Sequence, residues 1–138
     1  MGGYMQTAKS DDWTTPKDFY DKLNEEFHFD YDPCPVDFQK DGLTTEWGKS
    51  NFINPPYSDW QKWVKKGFEE FKKGKLCVFL LPSRTDTKAF HEIILANKFE
   101  VRFVKGRLKF GDGKIPSVFP SMIVIMKQNT NGRILAKE

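Results

Sequence analysis

The chain has 138 residues, of which 38% are hydrophobic and 30% are charged, and its formal net charge is +3. This length and composition favour one soluble domain over residues 1–138, with loose ends at about 1–12 and 128–138. The longest apolar run, residues 76–81, is far too short to cross a membrane. The two cysteines and two histidines lack metal-ligand spacing, so neither a disulfide framework nor a metal site is expected.

Charge is distributed unevenly along the chain. Residues 1–60 contain five Lys and Arg against twelve Asp and Glu, a net charge of −7. Residues 61–138 contain seventeen against seven, a net charge of +10. The basic second half predicts a polyanionic partner such as nucleic acid. The lysines at positions 65, 66, 72 and 73 are better explained as the solvated face of a helix.

A helix is expected over residues 16–27. Thr15 is a favourable N-cap residue and Pro16 suits the first helical position. The apolar residues at positions 19, 20, 23 and 27 then fall on one helical face. Residues 29–32 are typical of a strand, which ends in the turn Asp32-Pro33-Cys34-Pro35.

A strand, a turn and a helix are predicted in the middle of the chain. Residues 50–53 are typical of a buried strand, and Asn54-Pro55-Pro56-Tyr57 follows directly. Ser58 and Gln61 are spaced as a capping box, which predicts a helix that begins there and ends at Gly74. The apolar face of this helix contains Trp60, Trp63, Val64, Gly67 and Phe71.

The second half predicts further alternation of strands and helices. Residues 75–81 are apolar throughout, as expected of a central parallel strand. The polar turn at 82–87 follows the carboxyl end of that strand, where α/β proteins place function. A helix at 89–94, strands at 99–104 and 121–126, and a basic turn with a short strand at 105–111 complete an α/β pattern.

The turn Asn54-Pro55-Pro56-Tyr57 resembles motif IV of the amino-methyltransferases, which transfer a methyl group from S-adenosylmethionine to an exocyclic amine. The amine's lone pair is delocalised into the ring and must be turned toward the methyl group. The side-chain oxygen of Asn54 and the carbonyl of Pro55 would accept its two N–H groups. The prolines stiffen the turn, and Tyr57 offers a stacking face for an extruded base. The alternative is that the tetrapeptide is only a tight turn.

Two other stretches resemble motifs of the same enzymes. Trp13-Thr14-Thr15-Pro16 resembles motif X, which packs beside the cofactor, and the alternative is a capped helix with a buried Trp13. Asp32-Pro33-Cys34 resembles the opening of motif I, although the glycines that usually follow it are absent.

In order and spacing, these pieces make the chain similar to the small phage-type DNA N6-adenine methyltransferase family, the Dam-like family. The resemblance covers roughly residues 13–126. It implies an abbreviated Rossmann-like class I methyltransferase sheet, because the chain has no room for a full set of seven strands. It also implies S-adenosylmethionine as cofactor, DNA as substrate, and a phage or prophage origin with action in the bacterial cytoplasm. The remaining matching pieces are Glu26-Phe27-His28-Phe29, Asp41-Gly42-Leu43, 81–87, 106–110 and Phe119-Pro120-Ser121.

The resemblance also implies roles for individual residues. The catalytic residues would be Asn54, Pro55, Pro56 and Tyr57. The cofactor would be bordered by Trp13, Thr14, Thr15, Pro16, Asp32, Pro33, Cys34 and Asn54. The DNA would be contacted by Tyr57, Arg84, Lys88, Arg107 and Lys109. A structural ion pair with Asp86 is the alternative role for Arg84.

Two other functions stay open at this point. A protein glutamine-amide methyltransferase would use the same turn to hold a side-chain amide, but the basic second half favours nucleic acid. A non-catalytic nucleic-acid-binding relative would fit the missing glycines, but the intact Asn54–Tyr57 turn argues against it. No stretch is long enough for a target-recognition domain, so the candidates for reading bases are Arg84, Arg102, Arg107 and the lysines around them. We therefore expect a short or relaxed DNA target sequence. Formation of a homodimer would help the protein to select that target.

Overall fold

The computed structural model describes residues 15–35, 42–110, 115–116, 119–128 and 134–137, and within these ranges it is a mixed α/β fold. The helices are α1 (Lys17–Phe27), α2 (Trp60–Lys72) and α3 (Ala89–Leu95). The strands are β1 (Ser50–Ile53), β2 (Leu76–Pro82), β3 (Glu100–Val104), β4 (Lys109–Phe110), β5 (Ile115–Pro116), β6 (Ser121–Met126) and β7 (Ile134–Lys137).

The main sheet has the order β1-β2-β6-β3-β7, and β4 pairs with β5 in a separate ribbon. β1 and β2 are parallel, whereas β6 is antiparallel to both of its neighbours, β2 and β3. β2 and β3 therefore point the same way as β1. As a result, the ends of these three strands and the start of β6 lie at one edge of the sheet, here called the carboxyl edge.

A short extended segment lies beside β1 where the sequence predicts a strand over 29–32. Tyr31 forms an isolated parallel bridge with Asn51. The Asp30 N–H donates to the Ser50 carbonyl at 2.8 Å, and the Phe52 N–H donates to the Tyr31 carbonyl at 3.1 Å. The segment is shorter than a strand, but it directs Asp32-Pro33-Cys34 to the carboxyl edge.

Each face of the sheet is covered by helices, because alternate strand residues point in opposite directions. On one face, Leu23 and Phe27 of α1 belong to a cluster with Phe52 of β1. On the other face, residues of α2 and α3 belong to a cluster with Ile53 and Phe79. Gly67 lets α2 approach β2 closely, since a Cβ there would lie 2.2 Å from the Phe79 ring.

Most elements lie where the sequence predicts them, but the first residues of α1 and α2 differ from the prediction. Thr15 makes no capping hydrogen bond to α1, which begins at Lys17 after Pro16. The Ser58–Gln61 capping box is wrong, because residues 57–59 form a turn and α2 begins at Trp60. α3 lies where a helix is expected but is π-helical, with the Phe99 N–H donating to the Ile94 carbonyl.

The chain's end also differs from the prediction. The sequence predicts a loose polar stretch at about 128–138, but β7 pairs in parallel with β3 over residues 134–137. The expectation for residues 1–12 lies outside the described residues. The two cysteines, Cys34 and Cys77, are both free and buried.

Two buried charge networks are structural. Glu70 is fully buried, and its carboxylate accepts hydrogen bonds from Lys66, Lys73, Lys75 and the Trp47 N–H. Burial alone would raise the pKa of this carboxyl, but these hydrogen bonds hold the pKa well below its ordinary value. Lys66 is therefore a partner of Glu70 rather than part of a solvated face.

Arg102 is the centre of the second network. Its two terminal nitrogens bond to both oxygens of Glu26 at 2.7 and 2.6 Å, and its Nε bonds to Glu100 at 2.6 Å. The guanidinium therefore joins α1 to β3, and the interpretation of Arg102 as a base-reading side chain is wrong.

Candidate active site

Five separate segments bring polar or aromatic side chains to the carboxyl edge. Thr15 and Pro16 precede α1, and Asp32-Pro33-Cys34 follows the segment beside β1. The Asn54–Tyr57 turn follows β1, residues 83–88 follow β2, and Phe119 and Pro120 precede β6. The structure thus gathers residues that lie more than 100 positions apart in the chain.

Asn54 is the most enclosed polar side chain of the Asn54–Tyr57 turn. Alternation along β1 turns Phe52 toward the α1 face, so the side chain two positions on is expected on the same face. Asn54 is 8% exposed, and its Nδ2 donates to the Thr15 hydroxyl at 2.9 Å. Thr15 does not cap α1 because Pro16, one residue later, occupies the N-cap position.

Tyr57 lies beside a second aromatic ring, that of Phe119. The ring centroids are 5.5 Å apart with a 60° angle between the planes. Both side chains are half-buried. The Ser83 N–H donates to the Pro120 carbonyl at 2.8 Å, so the segment that carries Phe119 is tied to the end of β2. Tyr57 and Phe119, here called the aromatic pair, offer apolar ring surface next to Asn54.

Arg84 extends the aromatic pair with a positive charge. Its guanidinium carbon lies 5.5 Å from the Phe119 ring centroid, a cation–π distance. Its Nε also pairs with Asp86 at 3.5 Å, with side chains that are 44% and 74% exposed. The alternative ion pair for Arg84 therefore exists, but an exposed pair of this kind holds the arginine only weakly.

The Asp32 turn lies on the other side of Asn54 along the sheet. The Cys34 N–H donates to the Asp32 carboxylate at 2.9 Å, which closes the turn. Burial, and then the negative charge of Asp32, raise the pKa of the Tyr20 hydroxyl on α1. Asp32 is exposed, whereas Pro33 and Cys34 are buried, Cys34 among the core residues of the α2 face.

A glycine packs on this turn even though none lies within it. A Cβ on Gly42 would lie 1.8 Å from the Pro33 carbonyl oxygen, so only glycine fits there. The Trp47 indole N–H donates to the Gly42 carbonyl at 2.7 Å and fixes this contact. Gly42 therefore lets its backbone pack directly on the Asp32-Pro33-Cys34 turn.

Two buried hydroxyls at the carboxyl edge have no hydrogen-bond partner in the described part of the chain. These are Oγ of Ser83, just after β2, and Oγ of Ser121, the first residue of β6. Ser121 is only 1% exposed. Because buried polar atoms are normally paired, unpaired hydroxyls at this edge are candidates for pairing with a ligand.

The remaining basic residues predicted to contact DNA are exposed and lie on segments at the carboxyl edge. Arg107 and Lys109 follow β3 after Gly106, which has φ +75°. Leu108 between them packs on the α1-face cluster and anchors the segment. Lys88 precedes α3 directly. Trp13 and Thr14 lie outside the described residues.

Sequence reasoning did not assign a role to Phe119. The residue belongs to the piece Phe119-Pro120-Ser121, which matches the family but has no role implied by the resemblance. Its place beside Tyr57 depends on the antiparallel pairing of β6 with β2, and nothing in the local sequence predicts that pairing.

These features define an α/β protein with a polar, aromatic-lined site at the carboxyl edge of its sheet. Within the described residues, no group of three or more His, Cys, Asp or Glu side chains is arranged to hold a metal ion. In the same part of the chain, no helix has the length and apolar character needed to span a bilayer.

A family model described as DNA N-6-adenine-methyltransferase (Dam) matches residues 3–136. The chain therefore belongs to the DNA N-6-adenine-methyltransferase (Dam) family. Comparisons with curated proteins and with solved structures found no match. The family confirms the resemblance drawn from the sequence and makes DNA the expected substrate.

Proposed function

We propose that residues 1–138 form one abbreviated class I methyltransferase domain that transfers a methyl group from S-adenosylmethionine to N6 of adenine in DNA. The observation that supports this most strongly is the grouping of Asn54, Tyr57 and Phe119 at the carboxyl edge. An amide acceptor beside two aromatic rings matches what a planar, amine-bearing base requires.

In this proposal Asn54 and Pro55 act on the target amine. The Asn54 side-chain oxygen and the Pro55 carbonyl accept its two N–H groups, which draws the lone pair out of the ring plane. Pro55 is buried and Pro56 half-buried, so the turn is held firmly. No covalent intermediate on the protein is needed, and catalysis consists of alignment and of stabilising the positive charge that develops on nitrogen.

The residues of the Asp32 turn fit the cofactor. S-adenosylmethionine supplies an electrophilic methyl group on a sulfonium, and it has an ammonium group and two ribose hydroxyls that donate hydrogen bonds. Asp32 offers an exposed carboxylate as acceptor. Pro33, Cys34, Thr15 and Pro16 border the same region, and Gly42 keeps the backbone there close-packed.

The aromatic pair would receive the base. A base inside a duplex cannot reach Asn54, so the target must be extruded, at a cost of a few kcal/mol, and stacked in the site. Tyr57 and Phe119 provide the stacking surface. Arg84, Lys88, Arg107 and Lys109, all on segments at the carboxyl edge, would contact the phosphates that flank the extruded nucleotide.

Transfer of radiolabel from methyl-labelled S-adenosylmethionine tests the proposal. We expect label on N6-methyladenine in DNA, and we expect Asn54→Ala to remove that signal while the protein remains folded. Label on a protein glutamine would support the amide-methyltransferase alternative instead. No label on either substrate, together with no calorimetric binding of the cofactor, would contradict the proposal.

A further inference from the structure

We infer that Thr87 and His91 are positioning residues, which hold the loop after β2 so that the Arg84 guanidinium lies beside the aromatic pair. Thr87 lies two residues before α3, and His91 lies within it. The inference rests on the proposed function and deepens it, because the proposal brings Arg84 to a phosphate beside the extruded base.

The Arg84 side chain is held only weakly by its own contacts. It is 44% exposed, and its ion pair with Asp86 at 3.5 Å is of the weak, exposed kind. Fixing an arginine on a phosphate costs rotamer freedom, so a main chain that already directs the side chain to its target favours binding. The guanidinium lies over the Phe119 ring, 5.5 Å from its centroid. The position of the Arg84 main chain therefore decides where the guanidinium can reach.

Both main-chain groups of Arg84 are hydrogen-bonded. Its N–H donates to the Pro82 carbonyl at 2.8 Å, and its carbonyl accepts the Thr87 hydroxyl at 2.8 Å. One residue earlier, the Ser83 N–H donates to the Pro120 carbonyl at 2.8 Å. The main chain that carries Arg84 is thus tied to the segment before β6 on one side and to Thr87 on the other.

The direction of the Thr87 hydrogen bond follows from the chemistry of its partner. A carbonyl oxygen can only accept, so the hydroxyl proton is committed to the Arg84 carbonyl. The same hydroxyl oxygen accepts the Phe90 N–H at 3.4 Å, near the start of α3. A valine at position 87 would lack both functions, whereas a serine would keep both.

His91 holds the next carbonyl of the loop. Its Nε2 lies 2.8 Å from the Thr85 carbonyl oxygen and must donate, because that oxygen can only accept. The His91 ring also packs edge-on against Phe90, which is buried in the α2-face cluster. The His91 N–H donates to the Thr87 carbonyl at 3.2 Å, so the two residues lie one helical turn apart. Two successive loop carbonyls are therefore bonded to side chains of one turn that is anchored in the core.

The salt dependence of DNA binding tests the inference, measured by fluorescence anisotropy on a short labelled duplex. Arg84→Ala should reduce the slope of log K against log salt by about 0.9, the value of one phosphate contact. Thr87→Val should weaken binding by roughly 2- to 12-fold, the range of one net hydrogen bond, because ordering the loop then opposes association. It should also reduce the slope, by up to about 0.9. Thr87→Ser should bind nearly as the wild type does.

The Arg84→Ala background separates positioning from a general loss of stability. If Thr87 acts through Arg84, Thr87→Val should have no further effect on affinity or slope in that background. His91→Phe keeps an aromatic ring but lacks the ring nitrogen, and it should behave like Thr87→Val in both backgrounds. Thr45→Val is the matched control, since Thr45 Oγ1 is buried and has no partner in the described part of the chain. It should leave affinity and slope unaltered.

Four results would overturn the inference: an unchanged slope in Arg84→Ala, wild-type binding by Thr87→Val, an equal loss in Thr87→Ser, or an undiminished effect of Thr87→Val in the Arg84→Ala background. Thermal unfolding verifies that each variant is folded at the assay temperature. If Thr87→Val is not, His91→Phe replaces it in the same comparison. Failure of the proposed function is separate, because it would appear as absence of methyl transfer by the wild type and not as a change in DNA binding.

Discussion

Asn51 and Asn54 lie near the start and just after the end of the same strand, and their amides are used differently. Asn51 is fully buried, and its oxygen accepts the Gly48 N–H at 2.9 Å. Its nitrogen donates to the carbonyls of Gly48 and Leu76 at 2.9 and 3.0 Å. Asn54 is instead joined to a side chain, that of Thr15. The Asn51 amide bonds to the surrounding backbone and stabilises the fold, whereas the Asn54 amide lies at the candidate active site.

The same contrast extends to the two edges of the sheet. At the amino edge, defined by Trp47, Asn51, Glu70 and Lys75, the buried carboxylate is surrounded by donors. At the carboxyl edge, the hydroxyls of Ser83 and Ser121 lack partners among the described residues. A carboxylate paired on all sides stabilises the fold, while unpaired hydroxyls beside half-buried aromatic rings are suited to ligands. We therefore assign stability to one edge and chemistry to the other.

Glu70→Gln should produce the largest effect, and on stability alone. Removing one charge of a buried, bonded network typically costs about 3–5 kcal/mol, here because Lys66 and Lys75 lose their shared counter-ion. Chemical denaturation at pH 7 measures the loss. The residual activity per folded molecule should be unchanged, and selective loss of kcat would contradict the division between edges.

The difference in unfolding free energy between the wild type and Glu70→Gln should change with pH in a defined direction. The folded-state pKa of Glu70 is lowered, so its contribution is present above the unfolded carboxyl value of about 4.3 and is lost as pH falls toward the folded pKa. The gap in unfolding free energy between the wild type and Glu70→Gln should therefore narrow below about pH 4. A gap that widens on acidification would show that the carboxylate does not stabilise the fold.

Asn54→Ala should give the next largest effect, and on chemistry. Loss of one preorganised hydrogen-bonding group at a reacting centre costs about 100-fold or more in kcat. Asn51→Ala, the matched variant, should cost about 1–3 kcal/mol of stability because Gly48 and Leu76 lose partners. Its folded fraction should methylate normally. Assays of kcat and of thermal unfolding on both variants test the contrast, which fails if the two profiles are alike.

The aromatic pair should show an intermediate effect. Tyr57→Ala and Phe119→Ala each remove a stacking surface worth about 1–3 kcal/mol per base, so kcat/KM for DNA should fall roughly 5- to 150-fold. Tyr57→Phe keeps the ring and should be nearly neutral. Steady-state kinetics on a short duplex measures all three. Equal damage from Tyr57→Phe and Tyr57→Ala would show that the hydroxyl matters more than stacking.

The sequence predicted the elements well where a single periodicity governs them. β2 is an almost continuous apolar run, β6 is apolar after Ser121, and α2 has one apolar face, and their predicted positions were confirmed. Capping was predicted poorly, because Thr15 and Ser58 have the right residue types but the N-cap positions are Pro16 and Asp59, each one residue later. β7 was missed because its four residues, Ile134–Lys137, are too short a run to predict a strand by themselves, and the strand depends on pairing with β3.

Site residues could be predicted from the sequence only where they belong to a motif within one short stretch of the chain. Asn54–Tyr57 and the turn at Asp32 can each be recognised from a short stretch of sequence. Their side chains lie close together because both stretches follow the carboxyl ends of parallel segments. The pairing of Phe119 with Tyr57 and the contact of Gly42 with Pro33 join distant segments, and no local pattern encodes them. Arg102 illustrates the converse, since a basic residue in a basic half is committed to Glu26 and Glu100.

Arg107 and Arg102 offer the last and smallest test of the contrast between functional and structural residues. Arg107 is exposed on the segment after β3, whereas Arg102 is buried within β3. If Arg107 contacts a phosphate, Arg107→Ala should reduce the slope of log K against log salt by about 0.9 and weaken binding alike for all sequences. Lys72→Ala, an exposed change in the last turn of α2, should leave the slope unaltered.

The same variant tests how so small a chain chooses its target. With Arg102 committed to the fold, the candidates for entering a groove among the described residues are Arg84, Arg107 and neighbouring lysines. Phosphate contacts supply affinity without sequence information. Methylation mapped on a random-sequence plasmid should therefore reveal a short or relaxed target, and Arg107→Ala should lower its methylation without shifting it. A strict site of six or more base pairs, read by a monomer and altered by Arg107→Ala, would show that these loops read bases directly.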